Sequence, residues 1–158
     1  MRLHDQIVAV ERATNSNRSI DGDVVELLNL QPQGFKRAAG SQPELFRDST
    51  GAARIQTWLA PKLMNSVDDA LGLLTPGWRL ESLSDAGPGH RARCILERDD
   101  GSKVVGYGCN RSAAALAAVL RSKAHDRGSP MPRSSEHAAE VEPVIARERE
   151  QPEMRISA

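Results

Sequence analysis

Four histidines, two cysteines, two adjacent carboxylate pairs and the Gly-x-Gly at 106–108 are the parts of this 158-residue chain that could bind a metal, attack a carbonyl or cradle a phosphate. His4, His90, His125 and His137 are scattered, without the paired spacing that presents two imidazoles to one metal ion. Cys94 and Cys109 form no CxxC, so a zinc cluster and a disulfide scaffold are excluded and reduced thiols are expected. His90 could approach the two cysteines on a sheet, but alternation turns both toward the core, where cysteine acts as a small apolar residue. Asp68-Asp69 opens a helix, whose dipole favours negative charge there, and Asp99-Asp100 introduces a hairpin turn, so both pairs have local structural roles. Gly106-Tyr107-Gly108 lacks the third glycine and the Gly-Lys-Ser or Gly-Lys-Thr of phosphate loops; glycines inside a strand more simply mark a bulge or a close approach by another backbone. No catalytic residue, cofactor or metal is therefore assigned, and the chain is expected not to be an enzyme.

The arginines are the remaining chemical resource. Strand alternation would place Arg79, Arg91 and Arg93 on the outer face of a sheet, near Gly106 and Gly108, and Arg111 at the start of the closing helix. A guanidinium presents a planar fork of donors suited to carboxylates and phosphates, so these four are the candidate partner-binding residues. Two partner classes fit: a protein, or a nucleic acid whose phosphates shed counterions on binding. Glu81 and Glu97 share the face, and a solvated charged surface is the plain structural alternative. The 21 basic and 21 acidic residues cancel, so no global field draws the chain to nucleic acid or to an anionic membrane.

Those side chains need a scaffold. With hydrophobic residues at 39% and aromatics at 3%, the core must be built mainly from Leu, Val, Ile and Ala. Leu3, Ile7 and Val10 predict a first helix; Ile20, Val24, Leu27 and Leu28 predict a second, capped by Ser19, giving an N-terminal helical hairpin over residues 1–30. Gly22 inside that second helix costs about 1 kcal/mol relative to alanine. Residues 31–60, punctuated by Pro and Gly, read as an irregular linker packed on the domain, with a short strand at Arg54 to Leu59. Residues 61–124 read as an α-β-β-β-α sandwich core: a helix capped by Ser66, a three-stranded antiparallel sheet, and an Ala-rich helix capped by Ser112. A two-residue turn at Asp100-Gly101 would set Leu96 opposite Val105, Cys94 opposite Tyr107 and Ala92 opposite Cys109. Leu80, Ala92, Cys94, Leu96, Val105 and Tyr107 would then be sealed beneath the helices. Residues 125–158, rich in Ser, Pro, Glu and Arg, predict a disordered tail, and the whole is an α+β fold.

Two stretches carry a family likeness. Val10-Glu11-Arg12-Ala13-Thr14 with Arg18-Ser19-Ile20-Asp21, and Ser66-Val67-Asp68-Asp69-Ala70-Leu71 with Thr75-Pro76-Gly77-Trp78, resemble small proteins of bacteriophages and prophages grouped as the phage ABA sandwich domain. The resemblance spans roughly residues 4–124 and includes the helix Ala113 to Lys123. It implies an α/β sandwich and an origin in phage or prophage genes, and no catalytic residues; together with the balanced charge and the absence of a catalytic constellation it leads to the expectation of an accessory protein that binds a phage or host bacterial protein through its sheet face or its tail. No membrane-length apolar run and no signal peptide is evident, so the expected location is the cytoplasm of the bacterial host.

Overall fold

In the computed structural model, which describes residues 2–51 and 56–133, Leu3, Ile7 and Val10 form the buried face of α1 (Leu3–Arg12). Helix α2 (Arg18–Leu28) buries Ile20, Val24 and Val25. Its cap is Asn17, two residues before Ser19: the Asn17 side chain accepts from the Ser19 N–H at 2.8 Å. The helix ends at Asn29, whose φ of 53° is the left-handed stop that asparagine tolerates. Gly22 has a packing reason. A Cβ there would lie 2.3 Å from the Pro43 carbonyl oxygen and 2.7 Å from Nη2 of Arg37, so only glycine admits that segment against the helix. Arg37 clamps the same contact, donating to the carbonyls of Pro43 (2.7 Å) and Ser19 (3.1 Å) and pairing with Asp23.

The expectation of an irregular linker over 31–60 is corrected. Phe35–Arg37 (β1), Leu45–Asp48 (β2) and Thr57–Leu59 (β3) form an antiparallel sheet with β2 in the middle. Strands of three or four residues are too short to show alternation, which is why they read as loop. Their anchor is Phe46, fully buried and edge-on to Trp58 at 5.6 Å. The forecast strand at Arg54 to Leu59 lies partly outside the described residues.

Ser66 caps α3 (Val67–Leu71), accepting from the Asp69 N–H at 3.2 Å. Strands β4 (Trp78–Ser84), β5 (Ala92–Arg98) and β6 (Lys103–Gly108) form a second antiparallel sheet in that order, followed by α4 (Arg111–Asp126). The fold is thus mixed α+β with two three-stranded sheets, where a single sheet was expected. The cap of α4 is Asn110, which accepts from the Ala113 N–H at 2.7 Å, and not Ser112, which is buried in the helix. The helix runs to Asp126, whose carboxylate accepts the Trp78 indole N–H (3.0 and 3.1 Å) and pairs with Arg98, tying the helix end to the first strand. The tail predicted from residue 125 lies, from 134 onward, outside the described residues.

The register of the β5–β6 hairpin differs from the expectation by one residue. Leu96 faces Val104, Cys94 faces Gly106 and Ala92 faces Gly108. The turn is longer than two residues: the Arg98 N–H bonds to the Ser102 carbonyl at 2.8 Å, and Gly101 takes the left-handed position at φ 89°. Because side chains alternate, this slip sends Val104 and both glycines inward and turns Val105 and Tyr107 outward.

Candidate interaction surface

The inner face of the second sheet is closed by a glycine seam. A Cβ on Gly106 would lie 2.2 Å from the backbone nitrogen of Ala118, and one on Gly108 would lie 2.5 Å from that of Ala114. Strand β6 and helix α4 are therefore in backbone contact, with the small side chains of Ala113, Ala114 and Ala118 beside them. This places Gly106 and Gly108 under the helix and corrects their expected position next to the arginines. Cys94 is buried there too, and burial pushes its thiol up to about 12, leaving it protonated. Cys109 follows β6 and is half-buried.

Leu80 is 41% exposed and not sealed in the core as expected. It lies on edge strand β4, and a bulge between Leu80 and Ser82 shifts the inward positions from Trp78 and Leu80 to Leu83, which lies opposite Cys94. Tyr107 is buried, but from the other side: Gly106 and Gly108 face α4, so its ring points out with its ladder partner Arg93.

The outer face carries the predicted arginines unequally. Arg79 is held by Glu97 at 2.9 Å and lies 3.5 Å from Asp99. Lys103 reaches across β5 to Glu81 at 2.9 Å. Arg111 stands at the start of α4, 3.4 Å from Asp85 in the turn after β4. These cations are neutralised locally. Arg93 is exposed near the start of β5, and the half-buried Arg91 immediately precedes that strand; among the described residues neither has an ion pair. Next to Arg93 on the same side come Ile95 and, opposite it on β6, Val105, both half-buried. The four arginines are thus not one cluster: two are engaged, and two stand free beside a small apolar strip.

At the β6 border the sheet meets a buried ion pair that sequence reasoning missed. Arg121 (5% exposed) grips the fully buried Glu11 with two bonds, Nε to Oε2 at 3.1 Å and Nη2 to Oε1 at 2.6 Å. Oε2 of Glu11 also accepts the Tyr107 N–H at 3.1 Å. The remaining guanidinium donors meet the carbonyls of Pro132 (2.8 Å) and Arg133 (3.2 Å). Arg121 lies in the C-terminal half of α4, where a cation also suits the helix dipole. The available signal was its place in a helix buried nearly all round, where a cation must find an acid.

The other chemical candidates keep structural roles. Asp69 lies in the capped turn of α3, and Asp100 accepts the Ser102 N–H at 2.9 Å, which holds its carboxyl below the usual range. Asp21 is 1% exposed, accepts from the Met64 N–H (2.9 Å) and pairs with Arg18 (2.7 Å). Burial is the larger effect and raises its pKa. Among the described residues no group of three or more His, Cys, Asp or Glu side chains is placed to hold a metal ion. A hollow of 660 Å³ between the start of α1 and the chain after α4 is lined by Arg2, His4, Asp5 and Arg127, charges of both signs. No described helix is long and apolar enough to cross a membrane. No family model, curated protein or solved structure matches this chain.

Proposed function

We propose that this chain is a phage or prophage accessory protein that acts by binding a phage or host bacterial protein, with the outer face of the β4–β5–β6 sheet as its contact surface. Inhibition of a host protein is one form such binding takes. The resemblance to the phage ABA sandwich domain supports the origin. The contact surface rests on one observation: Arg93, exposed and free of ion pairs among the described residues, lies next to the apolar pair Ile95 and Val105, with Arg91, likewise without an ion pair there, just before the strand. That combination fits a protein segment bearing carboxylates and apolar side chains, because a guanidinium gains most from a planar acid while the strip gains from burial.

Nucleic acid fits less well. A phosphate backbone needs several uncompensated cations, whereas Arg79 and Arg111 already face Glu97, Asp99 and Asp85, and Glu81 adds negative charge to the same sheet. The test is affinity capture from host lysate at two salt concentrations with the parent chain, Arg79→Ala, and Arg91→Glu with Arg93→Glu. The reading expects a partner retained by the parent and Arg79→Ala and lost by the double variant. Capture indifferent to the double variant, or capture abolished by nuclease, overturns it.

A further inference from the structure

After α4 the chain turns back through Gly128, at φ 62°, and its next carbonyls reach the guanidinium of Arg121: those of Pro132 at 2.8 Å and Arg133 at 3.2 Å. That guanidinium shares Glu11 with the Tyr107 N–H, so the chain leaves Arg133 at the β6 border of the sheet. Tyr107 points to the outer face yet is 6% exposed, while Arg93, directly opposite on β5, is exposed. Tyr107 is therefore covered at the same border where α1 approaches β6 and Arg133 is tethered.

The thirteen residues that follow, 134–146, include Glu136, Glu140 and Glu142 and no lysine or arginine, with Val141, Val144 and Ile145 among them. That composition complements the sheet face: carboxylates for Arg91 and Arg93, and aliphatic side chains for Ile95 and Val105. The reach is sufficient. Seven residues from Arg133 to Glu140 extend up to roughly 23 Å, and Arg93 lies one strand in from β6, about 5 Å away.

We infer that residues 134–146 dock on the outer face of the β4–β5–β6 sheet in the same molecule and occupy the surface a protein partner would use. This rests on the reading of that face as a protein-binding surface. The tether raises the local concentration of the segment to about the millimolar range, so weak contacts hold it. Exposed ion pairs contribute little individually, so a partner with better complementarity displaces it.

The test uses the full chain throughout. Amide shifts of the isotopically labelled parent are compared with those of a variant carrying Glu136→Ser, Glu140→Ser, Val141→Ser and Glu142→Ser. These substitutions lie outside every described element, and an unchanged melting temperature verifies that the fold is intact. The expected result is movement of the Arg93, Ile95 and Val105 amides with those of Phe46 and Trp58 unmoved, and reciprocal movement of the 134–146 amides in Arg93→Glu. Sheet amides indifferent to the segment variant overturn the inference. So do shifts that disappear on dilution, which assign the contact to a second copy.

Partner capture separates this inference from the reading beneath it. The segment variant should retain several-fold more partner than the parent. Capture sensitive to Arg93 with unmoved sheet amides removes the self-docking and leaves the binding surface standing. Moved sheet amides with capture indifferent to Arg93 does the reverse.

Discussion

Replacing Gly106 by alanine adds one methyl group at a point where the structure leaves no room. The new Cβ would lie 2.2 Å from the nitrogen of Ala118 and 2.5 Å from the carbonyl oxygen of Ala114, where ordinary contact begins near 3.4 Å. Both obstacles are helix backbone, so no rotamer change relieves them, and α4 must back away from β6 by about 1 Å. Overpacking of this kind costs about 1–3 kcal/mol, and the rigidity of the neighbours puts Gly106→Ala at the upper end. At roughly 3 °C per kcal/mol for a domain of this size, the melting temperature should fall by about 10 °C. Gly101→Ala is the control: its φ of 89° carries a conformational penalty, but nothing lies within 4 Å of its Cβ. That penalty is about 1–2 kcal/mol, so its melting point should fall by roughly 3–6 °C. Thermal unfolding followed by circular dichroism measures both. A Gly106→Ala protein that melts within about 2 °C of the parent, or above Gly101→Ala, refutes direct backbone contact between β6 and α4.

The buried ion pair gives a second test: Glu11→Gln should cost about 3–5 kcal/mol in urea unfolding by stranding Arg121, and Glu11→Met with Arg121→Met should cost less than Glu11→Gln alone. For Asp21, burial raises the folded pKa above the ordinary carboxylate value. Its contribution to stability is therefore present at acid pH and lost as pH rises through that folded pKa. Asp21→Asn cannot ionise, so its urea midpoint should decline less than the parent's between about pH 4 and pH 7; parallel curves would count against the burial effect. With its thiol pushed up to about 12, Cys94 should stay unreactive toward dithiobis-nitrobenzoate at pH 8 in the native protein and react only on unfolding, leaving at most the half-buried Cys109 to titrate.

Long periodic segments and strong caps were legible in the chain. Leu3-Ile7-Val10, the Ser66 cap of α3 and the Ala-rich stretch of α4 announce themselves within a single helical turn or two. Features set by distant contacts were not. Strands β1 to β3 are held by Phe46 packed on Trp58 and by Arg37 reaching α2, contacts between residues well apart in the chain. Gly22 reads as a defect until Pro43 lies against it. The hairpin slip arose from the choice between a two-residue and a longer turn, and that choice decides which of Val104 and Val105 is core. For the surface, alternation correctly sent Arg93 outward. It could not show that Arg79 and Arg111 would be neutralised by Glu97 and Asp85, because those distances depend on register and on the turn after β4.

The carboxylate of Glu11 on the Tyr107 N–H has a consequence for how anything can approach the second sheet. An open border strand invites another chain to zip on as an extra strand, the route by which sheets polymerise. Here one border is stoppered near its C-terminal end by a side chain from α1, and the opposite one is bent by the bulge around Glu81. A visitor is steered away from strand addition and toward the flat side, where it is read by side chains and not by main-chain ladders. Selectivity held in side chains can be retuned by single substitutions without disturbing the scaffold.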